Sequence, residues 1–221
     1  MILKNGLVYQ EGGFCKKDIE IKDGKIARIE EEISGGRDVM DIRGFRVSPG
    51  FIEIHTHGAV GVDVNAADAE GLEKICCFFA KQGVTNWLCS ILTDTEEQTL
   101  RCIREYKRWK TLEHWGAELM GIHLEGPFLG TKYKGAMPEA LLKDMDLELL
   151  RRYQKEAEGD IRYITVSPER KGVAEAVPAI RAMGIQVAVG HPDATYQETM
   201  QAIRQGAGAC THTFNAMRLF H

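Results

Sequence analysis

The sequence predicts an α/β fold in two parts: a small β domain over residues 1–48, then residues 49–221 as a β/α barrel with about six of its β/α units. Three observations predict it. Short strand-like runs joined by turns fill the first 47 residues. After Ser48-Pro49-Gly50 the pattern changes to strands alternating with amphipathic helices. Histidines and a glutamate recur where predicted strands end, the place where barrels of this kind carry their chemistry.

Residues 2–9, 17–21 and 26–29 read as the strands of the first part. The turn Lys22-Asp23-Gly24-Lys25 between the last two is a hairpin signal, because Asp-Gly accepts the positive φ angles that a tight turn requires. In the second part, strands are expected at 51–57, 84–91, 119–124, 161–166, 185–189 and 207–213, and helices at 67–82, 95–110, 138–156, 172–183 and 195–205. Gly83 should close the first helix and Asp94 should cap the second. Helical connections between successive strands make those strands parallel. A closed barrel of this type has eight strands, so six units imply a chain that is incomplete at its C-terminal end, and the last strand has no helix to cover it.

Composition narrows the function classes. Of 221 residues, 44% are hydrophobic and 27% charged, enough for a substantial core. Lys and Arg number 28 against 32 Asp and Glu, a net charge of −4, which offers no basic excess for a phosphate backbone and argues against nucleic acid as a partner. No apolar run approaches the roughly 20 residues needed to cross a bilayer, and no signal peptide is visible, so the expected location is the cytoplasm, away from any membrane. Six cysteines (Cys15, Cys76, Cys77, Cys89, Cys102 and Cys210) include no Cys-x-x-Cys pair and read mostly as small core residues.

The chemistry concentrates at strand ends. His55 and His57 stand two apart on one strand, so both imidazoles face the same way. Glu125 ends the third barrel strand, where a carboxylate can ligate a metal or merely accept bonds from a loop. His123 faces the same side one pair deeper, which suits support of a ligand better than ligation. His191 and His212 are expected at the ends of the fifth and sixth strands. Packed histidines are common singly, but four of them with a glutamate at four strand ends point to a divalent-metal site. His114, Lys132, Lys134 and Arg170 read as exposed charges or loop residues, and His221 as terminal.

Four segments carry a resemblance: residues 49–58 (Pro-Gly-Phe-Ile-Glu-Ile-His-Thr-His-Gly), 121–128 (Gly-Ile-His-Leu-Glu-Gly-Pro-Phe), 190–194 (Gly-His-Pro-Asp-Ala) and 211–217 (Thr-His-Thr-Phe-Asn-Ala-Met). Together they resemble the N-acetylglucosamine-6-phosphate deacetylase family of the amidohydrolase superfamily. The resemblance implies a metal-dependent amidohydrolase-type TIM barrel that removes acetate from an amino-sugar phosphate, and a homodimer for the intact enzyme. It implies that Glu125, His191 and His212 bind the principal divalent metal, Zn or Fe, and that His55 and His57 bind a second where two are present. Ala136, Asn215 and Ala216 would line the substrate site. Met137 stands where the family usually has His, and the family's catalytic Asp would lie beyond His221. Other readings are a different amidohydrolase, such as a cyclic amidase or deaminase, and a metal-binding fragment without activity.

Overall fold

In the computed structural model, which describes residues 1–219, the first fifty residues form a five-stranded sheet built around β1 (Ile2–Gln10). β2 (Gly13–Lys22) and β3 (Lys25–Glu30) continue from it as an antiparallel meander. The Asp23-Gly24 turn closes the second hairpin with φ of 50° and 72°, the two positive values that a tight turn of this hand needs. β4 (Val39–Asp41) and β5 (Arg46–Val47) pair parallel to β1. Sequence periodicity did not reveal them, since two or three residues are too few for an alternation to show. The chain divides into two units, Met1–Gly50 and a second that starts at Phe51.

The second unit is a six-stranded parallel sheet whose strands neighbour one another in chain order: β6 (Phe51–Thr56), β9 (Val84–Leu92), β10 (Glu118–Glu125), β11 (Ile161–Val166), β12 (Gln186–Val189) and β13 (Ala209–Cys210). A small hairpin, β7 (Gly58–Ala59) with β8 (Val62–Asp63), follows β6. Helices α1 (Ala69–Lys81), α2 (Glu96–Trp109), α3 (Leu147–Glu156), α4 (Val173–Ala182) and α5 (Tyr196–Arg204) make the connections. The main core lies between helices and sheet, where Ile75 and Cys76 of α1, Ile103 of α2, Leu150 of α3 and Ile180 of α4 meet Trp87, Ile122, Ile164 and Val187 of the strands. A smaller cluster of Leu88, Tyr163 and Ala188 occupies the other face of the sheet.

Several expected boundaries move for local reasons. The cap of α2 is Thr95, whose hydroxyl accepts from Gln98 N, and not Asp94, whose carboxylate instead accepts from Thr95 N and Asn65. The helix expected over 138–156 is a short 3-10 turn at Glu139–Leu141 followed by α3, which begins only where Asp146 caps Leu149 N. The sixth strand is two residues, not seven, because only Ala209 and Cys210 find ladder partners on β12. His212 therefore lies two residues past β13, and His191 lies two residues past β12, which ends at Val189. His114 is not a solvated loop residue: its ring stacks on Trp109 at 3.9 Å and its Nδ1 lies 3.5 Å from Glu73. Lys132 pairs with Asp193, Lys134 donates to the Met137 carbonyl, and Arg170 bonds the Lys143 carbonyl and Asp144. Cys76, Cys89 and Cys102 are buried as expected, whereas Cys77 is half-buried and Cys15 and Cys210 are exposed. His221 lies outside the described residues.

The sheet must curl. In a flat sheet its edge strands, β6 and β13, would stand about 24 Å apart, five spacings of roughly 4.8 Å. Yet the rings of His55 on β6 and His212 just after β13 are 5.7 Å apart, centroid to centroid. Two side chains span only part of that gap, so closing the rest requires the barrel-like curvature that gathers strand ends around one point.

Candidate metal centre

Glu125, the last residue of β10, is that point. Its carboxylate is 3% exposed and faces four imidazoles: the Nε2 atoms of His57 at 2.8 Å, His191 at 3.2 Å, His212 at 3.3 Å and His55 at 3.4 Å. All five residues expected to form the site meet here. Two overlapping triads, His55/His57/Glu125 and Glu125/His191/His212, each have their donor atoms within 4.8 Å of one another and can hold a metal ion.

Different devices present the five donors. Alternation along β6 turns His55 inward, and His57 follows just past the strand end, with Thr56 N held by Ser90 Oγ at 3.0 Å. His191 and His212 sit in left-handed backbone, with φ of 52° and 31°, which costs an L-residue free energy and recurs at functional sites. Backbone carbonyls then fix three of the rings: His57 Nδ1 bonds Ser90 O at 3.0 Å, His191 Nδ1 bonds Tyr133 O at 2.6 Å, and His212 Nδ1 bonds Asn215 O at 2.9 Å.

Those carbonyls test whether the residues fit a cation. A ring that donates Nδ1–H to a carbonyl presents, when neutral, a bare lone pair at Nε2. Three such lone pairs point at the oxygen lone pairs of a buried carboxylate. The Nε2 atoms also face one another, 3.1 Å apart for His191 and His212 and 3.2 Å for His55 and His57. Acceptors aimed at acceptors are stable only around positive charge, and a divalent ion matches this mixed imidazole and carboxylate set.

Without an ion, protons take that part. Burial disfavours charge on His57 and His191, but hydrogen bonds and attraction from Glu125 outweigh it and both rings are raised above the ordinary histidine value. Burial likewise pushes the Glu125 carboxyl up, and the bonds from His191, His55 and His57 overcome it, leaving Glu125 well below the usual carboxylate range. His123 behaves oppositely. It is fully buried, burial and the neighbouring histidines push it down to about 3, and it remains neutral beneath the cluster.

The expected substrate residues lie on loops that touch the cluster. Ala136 is exposed beside Gly135, whose backbone (φ 59°) passes so close that an added Cβ would stand 3.3 Å from His191 Cε1. Asn215 is exposed and lends its carbonyl to His212, and Ala216 is half-buried. Met137 is buried against Leu129 and Leu142, with Leu92 alongside. The sequence reading missed the carbonyls of Tyr133, Ser90 and Asn215, because a backbone acceptor leaves no side-chain signature.

Comparison with known proteins agrees along the whole chain. The N-acetylglucosamine-6-phosphate deacetylase of Lysinibacillus sphaericus is 33% identical over 223 residues, covering all of this chain and 58% of that protein. Its Bacillus subtilis counterpart is 31% identical, also over the whole chain and 58% of its own length. A solved variant of the Mycobacterium smegmatis enzyme, in complex with N-acetyl-D-glucosamine-6-phosphate, superposes with a TM-score of 0.88 at 31% identity, covering 99% of this chain and 56% of that one. The chain has the fold of N-acetylglucosamine-6-phosphate deacetylases. The fold class expected from the sequence thus stands: an amidohydrolase-type β/α barrel present in part, with a small N-terminal β domain. The chain spans about 58% of the length of these deacetylases. No protein-family model matches it, and among the described residues no helix is long and apolar enough to cross a membrane.

Proposed function

We propose that this chain is the metal-binding portion of an amidohydrolase that deacetylates N-acetylglucosamine 6-phosphate to glucosamine 6-phosphate and acetate. The observation that carries the proposal is the set of four imidazole nitrogens aimed at one buried carboxylate, on the fold and motifs of that deacetylase. Glu125, His191 and His212 would hold the principal divalent ion, Zn or Fe, and His55 with His57 a second. Residues 1–48 would be the start of a separate β domain and 49–221 the front of the catalytic barrel, in a cytoplasmic homodimer. Likeness to the Escherichia coli N-acetylgalactosamine-6-phosphate deacetylase, at 28% identity over 97% of the chain, supports an amino-sugar phosphate as the substrate class and makes the epimer the second substrate to test.

A divalent ion in such a site polarises an amide carbonyl and makes water nucleophilic near neutral pH. The chain's own residues prepare for it. Carbonyls of Ser90, Tyr133 and Asn215 keep three Nε2 lone pairs pointing inward. The loop through Ala136 and the turn through Asn215 and Ala216 would flank the acetamide. Among the described residues the cluster contains no second carboxylate within ligand distance to carry a proton to the leaving nitrogen. General acid–base assistance is typically worth about 10²–10⁴-fold, so turnover by the chain alone should fall short of ordinary enzyme rates by that order.

The test is acetate release by the Zn-loaded chain, with N-acetylglucosamine 6-phosphate, its galactose epimer, unphosphorylated N-acetylglucosamine and a cyclic amide as substrates. Slow release confined to the amino-sugar phosphates, and abolished in Glu125→Gln, is expected. Hydrolysis of the cyclic amide with no acetate from the sugars would overturn the assignment.

A further inference from the structure

Beside and beneath Glu125, four polar side chains run across the inside of the sheet: Ser90 on β9 and His123 on β10, in register two residues before Glu125, Thr165 on β11, in register with Glu125, and Thr211 just after β13. All are buried, the first three completely. Ser90 Oγ and His123 Nδ1 are 2.8 Å apart, His123 Nε2 and Thr165 Oγ1 2.9 Å, and Thr165 Oγ1 and Thr211 Oγ1 2.8 Å. The plain reading is a set of core polar groups that satisfy one another. Two further facts give the row a direction and an address.

The direction follows from its first member. Thr56 N–H donates to Ser90 Oγ, so the Ser90 proton is free to go to His123 Nδ1. A neutral His123 that accepts at Nδ1 carries its proton at Nε2 and donates it to Thr165, which donates to Thr211. The reverse order would give Ser90 two donors and leave its own proton without a partner among the described residues.

The address is the ligand set. The row begins at the peptide N–H between His55 and His57, and the backbone of Ser90 also accepts from His57 Nδ1. It passes two residues before Glu125. It reaches the residue before His212, where Thr211 also bonds the Tyr163 side chain. Gly190, the residue before His191, lies between the two threonines: a Cβ there would overlap Thr165 Cγ2 and crowd Thr211 Cβ, so the bare backbone is what allows the hydroxyls to meet.

We propose that Ser90, His123, Thr165 and Thr211 form a directional hydrogen-bond belt that sets the spacing of the strand ends carrying His55, His57, Glu125, His191 and His212. They are positioning residues for the metal centre and touch neither metal nor substrate. The proposal rests on the metal reading given above. In physical terms, a chain of polarised bonds in a dry interior holds four strands at fixed separation more stiffly than apolar contacts do, and donor atoms must be held within a fraction of an ångström for tight ligation.

Two measurements test it. In the metal-free chain, ¹⁵N NMR of the His123 ring should show a proton on Nε2 and none on Nδ1; the opposite tautomer would overturn the direction, and with it the belt. Separately, Thr165→Val keeps the shape and deletes the hydroxyl, whereas Thr165→Ser keeps the hydroxyl. Outer-shell losses typically weaken metal affinity about 10–100-fold, and Co(II) affinity of Thr165→Val should fall by that order with a changed visible spectrum, while Thr165→Ser recovers both. A Thr165→Val chain that binds Co(II) as tightly as the parent, with the parent's spectrum, sinks the belt whatever its melting temperature. Should that variant not fold, the tautomer measured on the parent decides. Failure of the parent itself to bind Co(II) would instead sink the metal reading.

Discussion

The barrel unit buries two carboxylates at opposite ends of its parallel sheet, Glu125 as the last residue of β10 and Asp160 just before β11, 3% and 8% exposed. Asp160 is complete. Tyr106 Oη at 3.1 Å and Lys110 Nζ at 2.6 Å donate to one oxygen, and Arg162 Nη2 at 2.7 Å donates to the other. Every partner carries a proton at neutral pH, and both cations keep their heads partly in water. Glu125 has more neighbours and no assured donor: four imidazole Nε2 atoms, three of them on rings whose Nδ1 proton is committed to a carbonyl. One carboxylate is a finished piece of structure and the other is half of a site. The difference lies in where the protons are, not in burial or in the number of neighbours.

Replacement by the uncharged amide should separate the two most sharply. Glu125→Gln removes the central anion of the cluster and should lower Zn or Co(II) affinity on the order of 10³-fold, beyond the 10–100-fold typical of a lost outer-shell partner. Asp160→Asn should leave metal affinity unchanged. The two carboxylates would prove alike if both variants bound metal equally well in a competition titration.

Stability should respond the other way round. Asp160→Asn gives up charge-assisted bonds and leaves Lys110 and Tyr106 mispaired, at a cost of about 1–3 kcal/mol in denaturant unfolding of the metal-free chain. Glu125→Gln should cost the metal-free chain less at a pH above the raised values of His57 and His191, where those two rings have lost the proton they share with Glu125. A larger loss from Glu125→Gln than from Asp160→Asn under those conditions would contradict the contrast.

Acidity sharpens it further. Burial pushes the Asp160 carboxyl up, but bonds from Lys110 and Tyr106 carry it below its ordinary 3.8. Its contribution is therefore present above that value and lost as the pH falls through the lower, folded one. His57 and His191 are raised above 6.5 in the metal-free chain. What they contribute as charged partners of Glu125 is complete below 6.5 and lost as the pH rises through their raised values. Metal competes with those same protons, so metal-induced stabilisation should grow over that upper range. Melting curves with and without Zn should diverge as the pH rises above about 6.5 and converge below it; parallel curves would show that the histidines do not exchange protons for metal.

Much of this was legible in the sequence because strand alternation is a strong rule. It faces His55 inward, sets His123 and Glu125 on one side of β10, and marks β11 at residues 161–166 to the residue. What escaped depends on geometry without side-chain chemistry. His191 and His212 lie beyond their strands in left-handed backbone, which a His-Pro or Thr-His-Thr segment does not announce. The break at 142–146 is hidden because Leu141, Leu142, Leu149 and Leu150 give helical spacing across it. Ser90, Thr165 and Thr211 did carry a signal that went unused: small hydroxyl residues on the inward phase of apolar strands, where a packed core alone would favour Val or Ala.

The measurement closest to the central claim is a metal titration of the purified chain, stripped by chelator, at pH 8, with bound ion counted by elemental analysis and Co(II) followed by its visible absorption. The account predicts at least one tightly held ion per chain, lost in Glu125→Gln and kept in Asp160→Asn. A folded chain that leaves the titration free of metal would contradict it.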